Sequence, residues 1–280
     1  MAAVLVLFAG IQLFVFTDRS STFFAWTILN PLGAAFLGAA YWASVAIEAL
    51  AGRQQIWANA RIAVPTVLVF TVLTLVASLL HLGKLHLGSE FAAGTRIVAV
   101  AWLAIYVLVP LLLACLLIVQ ARVPGSDPPR LTVLPGWVCA ILAAQAIVLT
   151  GTGVAMFALP DQASAFWPWL LTPTMAQATA AWLISLGVAA GHALLERDAR
   201  RLRPAAVGDI LFVLFQLIAL ARYPDLVSWG SASCVIYVIV LGSMLVVGTA
   251  CLIQGAPHSR EQITRLARAG DGASPHQVSR

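Results

Sequence analysis

The chain has 280 residues, 61% of them apolar and only 10% charged, with a formal net charge of +5 from 15 Arg, one Lys and 11 acids. Soluble domains are about half apolar and about a quarter charged, so a water-soluble globule is excluded, as are a disordered chain, a coiled coil and a disulfide-stapled secreted scaffold. What remains is a protein whose solvent is mostly lipid.

A bilayer core of roughly 30 Å takes about 20 apolar residues in helix. The sequence reads as eight such runs, at 2–17, 32–51, 62–82, 97–120, 134–158, 174–195, 205–222 and 231–254. The first has no basic stretch before it and no A-x-A site, so it reads as a retained span and not as a cleaved leader. Pro31, Pro173 and Pro204 stand at or just before helix starts, where a missing N–H costs nothing. After about residue 255 the composition turns to Arg, Gln, Ser and Gly. A short surface helix is expected over 260–269 and a disordered tail beyond it.

Orientation follows from arginine placement. The loops after spans two, four and six, with the tail, carry twelve of the sixteen basic residues; the other loops carry only Arg19, Lys84, Arg96 and Arg222. That bias puts both termini in the cytoplasm of a plasma membrane. With the basic residues spent on short loops, no phosphate-binding face remains, and nucleic acid is excluded as a partner. The outer loops are aromatic instead, with Phe23, Phe24 and Trp26, then Phe166, Trp167 and Trp169, then Tyr223 and Trp229. They fit an interfacial belt or the wall of an outer vestibule. Cys115, Cys139, Cys234 and Cys251 lie in apolar runs without CxxC spacing and read as small buried residues.

The two halves resemble each other. At an offset of 143, Gly10, Phe14 and Asp18 match Gly153, Phe157 and Asp161; at 142, Phe24, Pro31, Arg61 and Phe70 match Phe166, Pro173, Arg203 and Phe212. After a shorter fourth connection, residues 105–109 match 236–240, with Tyr106 against Tyr237. Four spans is an even number, so the halves enter the membrane the same way round and the repeat is parallel. The expected fold is all-α: eight transmembrane helices as two parallel four-helix repeats, over 1–125 and 131–255, with a cytoplasmic tail at 256–280. The fifth span begins about ten residues before the position matching Met1, so the first helix is expected to be short at its cytoplasmic end, or the natural start to lie upstream.

Ionisable residues inside spans are costly and mark candidate sites. Glu48 ends span two, His192 ends span six, Asp209 opens span seven and His81 ends span three; none is near the midplane, where ion-coupled carriers keep a carboxylate. His192 and Asp209 fall at similar depth and are expected to hydrogen-bond, with Glu196 and Arg200, Arg201 and Arg203 nearby; the group reads as a polar latch at the membrane surface, or else as a proton relay or an anion site at the arginine cluster. Glu48 is expected to pair with Arg53. In the segment from His81 to Glu90, His86 and Glu90 are spaced i, i+4, so one helical face would present both to a metal or a quinone headgroup. A structural turn with water-facing histidines is the alternative. No metal signature accompanies them, and bis-His haem ligation fails because His81 and His192 lie at opposite ends of their spans. Small residues at Gly187 and Gly191, and at Ala34, Ala35, Gly38 and Ala39, permit close helix approach. They place spans two and six at the centre of the bundle, with Gln145, Gln177 and Gln216 bonding between helices.

The stretch from Phe24 to Pro31, then Ala35 to Trp42, with Trp167-Pro168-Trp169 and Glu196-Arg197-Asp198, resembles a group of uncharacterised bacterial, largely actinobacterial, multi-span membrane proteins. The likeness implies a bacterial inner-membrane protein and no particular activity. His81-Leu82-Gly83 is also similar to the quinol-side loop of the eight-span anchor subunits of dimethyl sulfoxide and polysulfide reductases, which implies a quinone and a partner subunit. Three classes therefore stand: a permease or binder of an uncharged or apolar small molecule with a cavity between the halves, an anchor subunit that meets quinol near His81 and His86, and an accessory protein without chemistry. Its partners are the bilayer and either a second subunit or another copy of the chain. No nucleophile–base pair or phosphate loop supports an enzyme, and no cofactor other than a quinone is expected.

Overall fold

The structure, a computed structural model, describes residues 2–256. The tail expected beyond them, with its surface helix, lies outside the described residues. Within them the chain is helical, and the only strand-like pairings are two isolated bridges, Trp26 with Leu85 and Val133 with Asp198. Seven helices are long and apolar enough to cross a membrane. They are α2 (Pro31–Ala51), α3 (Ala63–Leu80), α4 (Ala93–Arg122), α5 (Gly136–Ala158), α6 (Pro173–Glu196), α7 (Arg203–Arg222) and α8 (Ala232–Gln254).

The first apolar run folds differently. Helix α1 (Ala2–Gly10) continues into a π-helical turn, Ile11–Val15. Together they rise about 21 Å, less than the roughly 30 Å of a bilayer core. Arg222 at the end of α7 finishes this turn: its guanidinium donates to the carbonyls of Phe14 (2.6 Å) and Val15 (3.4 Å). A cation on the last carbonyls is favourable both as a donor and against the helix dipole.

Two loops from the aromatic end fold inward before their helices begin. Asn30 caps α2 by accepting from Leu32 and Gly33 N–H, and Thr172 caps α6 by accepting from Met175 N–H, with a proline in each first turn. The residues before these caps are extended and buried. Phe24, Trp26, Trp167 and Trp169 are at most 8% exposed, so they plug the bundle and do not form a belt. Phe23, Phe166 and Trp229 stay outside, where a belt would have them.

Consecutive helices do not always pack together. Helix α2 meets α7, and α3 meets α6, over far more of their length than α2 meets α3. Helix α1 lies on α2, α5 on α6, α4 on α3 and α8 on α7. Helices α2 and α6 are the most enclosed (56% and 61% buried), whereas α4 is 17% buried and turns Ile97, Val100, Leu108, Leu111 and Leu112 outward. An apolar face of that extent is lipid-facing in a membrane protein.

Small residues set the closest approaches, between α1 and α2, between α5 and α6, and at Gly208 of α7 against Ile47 of α2, and not between α2 and α6. A Cβ on Gly38 would come within 2.5 Å of the Phe14 backbone N; one on Gly187 would collide with Thr150 of α5. Gly153 of α5 sits as tightly against Ile184 and Ala180 of α6. The three glutamines do bond between helices. Gln145 donates to Ser243 (2.8 Å), Gln177 to the Phe157 carbonyl (2.9 Å), and Gln216 to the Phe36 carbonyl while accepting from Tyr237.

Candidate functional site

At the aromatic end, residues 85–92 form turns and not a helix, so His86 and Glu90 do not share a helical face. His86 is 2% exposed and held at both ring nitrogens. Its Nδ1–H donates to the Phe24 carbonyl (2.9 Å), which leaves Nε2 to accept from the Thr27 hydroxyl (2.9 Å). With that lone pair occupied, the imidazole pins the inward loop and has nothing to offer a metal. Glu90 is exposed and curls over Gly88. His81, half-buried past the end of α3, bonds through Nε2 to Gln177 Oε1 (2.9 Å). Since Gln177 uses its amide N–H on Phe157, its oxygen accepts and His81 Nε2 donates. His81 thereby supports the end of α5, as Arg222 supports the end of α1.

At the opposite, arginine-rich end, Glu196 is 1% exposed and lies between two arginines. Arg61 grips it in a fork, through Nε and through Nη2 at 2.9 Å, and Arg201 Nη1 reaches the same carboxylate at 2.9 Å. Asp127 of the α4–α5 loop sits 2.6 Å from Arg61 Nη1, and Arg201 Nη2 donates to the Pro128 carbonyl (2.5 Å). The Glu196 carboxylate, seconded by Asp127, holds the Arg61 pKa above its ordinary value. This cluster ties the start of α3, the α4–α5 loop and the α6–α7 loop into one unit. Val133 bridges Asp198 beside it, and Arg197 takes a left-handed turn (φ 49°) to end α6.

His192 belongs to that cluster. Its Nε2 lies 3.4 Å from Glu196 Oε1, one turn along α6, and it does not bond Asp209. The expected His–Asp pair is absent because α7 turns Asp209 to the other side, into a cavity of about 30 Å3 shared with Gln145, Met244 and Cys251. Among the described residues its carboxylate has no hydrogen-bond partner, and the space admits about two waters. Glu48 makes no ion pair with Arg53 among the described residues; its Oε2 is buried without a hydrogen bond.

A larger cavity, about 290 Å3, opens between α5 and α8. Its floor is Phe36, Trp167, Phe212, Tyr237 and Leu241, and its mouth is rimmed by exposed Val148, Phe166 and Ile236. It touches the small Asp209 cavity at Leu149, Leu186 and Met244. The matched place in the first half is full. Offset 131 puts Trp102 opposite Ser233. The Trp102 ring lies 4.4–5.0 Å from those of Tyr106, Phe24 and Trp26, and its Nε1–H donates to Ser78 (3.0 Å). The candidate site is thus an apolar, aromatic-floored pocket, open sideways, where a serine stands for a tryptophan.

None of His81, His86, Glu90, His192 and Glu48 lines this pocket or the small cavity beneath it; Asp209 alone does, at the inner end. The pocket's own residues gave no signal of chemistry, being mostly Phe, Trp, Leu and Val with the hydroxyls of Thr152, Ser233 and Tyr237. The vestibule reading of the outer-loop aromatics reached two of them, Phe166 and Trp167, and the Trp102–Ser233 mismatch within matched halves was the other trace of it in the sequence. No family model matches the chain, and no match was found among curated proteins or solved structures.

Proposed function

We propose that the chain is an eight-helix integral membrane protein, duplicated from a four-helix unit, that binds or passes an uncharged, largely apolar small molecule through the pocket between α5 and α8. The observation that carries this reading is the 290 Å3 aromatic-floored cavity with its sideways mouth. Ligand sites are concave and mostly apolar with few polar groups, and a mouth between two lipid-facing helices admits molecules already dissolved in the bilayer. Tyr237, Ser233 and Thr152 supply its hydroxyl groups, and Asp209 lies beyond the Leu149–Leu186–Met244 constriction. An acid at that depth would act on the polar end of a ligand or on water, not as the counter-charge of a midplane ion site.

The duplication is supported by the exchange pattern of the contacts. Swapping the halves turns α2 against α7 into α6 against α3, α1 on α2 into α5 on α6, and α4 on α3 into α8 on α7. On this reading α1 is the eighth, shortened span, the arginine-rich end is cytoplasmic and both termini lie there. The bacterial plasma membrane rests on the family resemblance.

The test is purification of the full chain in mild detergent, organic extraction, and mass spectrometry of what it carries. One apolar species at near-equal stoichiometry, lost in Ser233→Trp while the fold is kept, is the expected result. An identical extract from both proteins would overturn the assignment of the pocket.

A further inference from the structure

The buried ion cluster has a counterpart at the same end of the molecule. Offset 142 sets Arg203 opposite Arg61, Gln54 opposite Glu196 and Asn59 opposite Arg201. The arginine is retained; the carboxylate that neutralises it has become an amide. Where Glu196 and Asp127 fill one place, the other is a cavity of about 420 Å3 lined by Gln54, Asn59, Arg200 and Arg203, with Leu50 and Val207 as its apolar wall. Asn59 Nδ2 donates to Gln54 Oε1 at 3.4 Å, the neutral remnant of the Arg201–Glu196 contact.

Among the described residues, no carboxylate lies within ion-pairing distance of Arg200 or Arg203. Asp198, close by in sequence, already accepts from the backbone N–H groups of Leu131 (2.7 Å) and Arg200 (2.9 Å). Helix α7 begins at Arg203 without a side-chain cap, and its dipole adds to the positive potential there.

We infer that this cavity binds a phosphate-bearing anion, held by Arg200 and Arg203 with Gln54 and Asn59 hydrogen-bonding to it. Two guanidinium forks match phosphate oxygens better than a single carboxylate, and the space exceeds what bare phosphate needs. The apolar wall at Leu50 and Val207 would take the uncharged remainder. That chemistry is offered by an anionic lipid headgroup or by a soluble phosphate compound. The inference does not rest on the aromatic pocket, whose lining residues are different.

The experiment uses the full chain and reads its thermal unfolding midpoint from tryptophan fluorescence. One arm titrates inorganic phosphate against sodium chloride at matched ionic strength, in an uncharged detergent. The other compares phosphatidylcholine nanodiscs with and without phosphatidylglycerol. A rise of a few degrees is expected in the phosphate arm, the lipid arm or both, and the arm that responds identifies the source. Arg200→Gln with Arg203→Gln should weaken the response about tenfold in concentration. Gln54→Glu, which supplies the missing carboxylate and removes no arginine, should abolish it. A response unchanged in these variants overturns the inference, as does no response in either arm. A response that emerges only in Glu261→Gln also overturns it, because the pocket would then hold the chain's own acid.

Discussion

The matched halves spend the same positions differently. In the first, Trp102 fills the space between α2, α3 and α4 with a ring packed on Phe24, Trp26 and Tyr106, whereas the arginine-rich end carries Gln54 and Asn59 and stands open. In the second, Ser233 leaves a hollow between α5 and α8, whereas the arginine-rich end is locked by Glu196 between Arg61 and Arg201. Each half is therefore solid where the other is hollow. The lesson is that backbone packing tolerates either filling, because the close approaches that set it are made elsewhere, at Gly38 and Gly153.

The largest effect should come from breaking the lock. Glu196→Gln makes the second half a copy of the first at this position and leaves Arg201, 6% exposed, with Asp127, at 3.5 Å, as its remaining carboxylate partner. A loss of about 3–5 kcal/mol is expected for removing one partner of a buried ion network, read as a fall in unfolding midpoint. If the protein unfolds as before, the cluster is not what holds the three loops together.

Next is the tryptophan. Trp102→Ser hollows the first half and should cost about 3 kcal/mol, the low end for deleting a buried ring, because lipid can enter the space. Ser233→Trp is the converse, and is expected to keep the midpoint while removing whatever the pocket holds. Should both variants lower the midpoint equally, the two places are not equivalent.

A smaller difference separates two glycines on the α1–α2 contact. Gly38→Ala drives a Cβ at the Phe14 backbone and should cost about 2 kcal/mol. Gly10→Ala drives a Cβ at the Trp42 ring, a side chain that must shift against Phe14 and Phe215, and should cost about 1 kcal/mol. Equal losses would mean that Trp42 is held as rigidly as backbone. The smallest effect is Gln54→Glu, expected within about 1 kcal/mol by the same measurement because the position is exposed. A gain as large as the loss from Glu196→Gln would show the two ends to be equally buried.

Several residues were legible for what they are. Pro31 and Pro173 mark helix starts because a residue without N–H loses nothing there, and Gln145, Gln177 and Gln216 had to bond across helices because lipid offers no partner. Others misled for an equally physical reason. His86 and Glu90 have helical spacing, but spacing implies a shared face only where the backbone is helical, and residues 85–92 are turns. His192 and Asp209 have similar depth, but depth says nothing of azimuth; α6 turns His192 to Glu196 and α7 turns Asp209 to Gln145.

Composition and arginine spacing determined the solvent of this protein, because a chain 61% apolar with its charges confined to loops has no other way to satisfy its backbone than membrane helices. They could not assign work to the pocket, since its aromatic residues are the same types that fill any core. Which of them enclose empty space depends on distances between α5 and α8, residues almost a hundred positions apart. Tertiary structure alone decided that Glu196 is sealed and Arg203 is open, because a charge becomes a lock or a site only through what is packed against it.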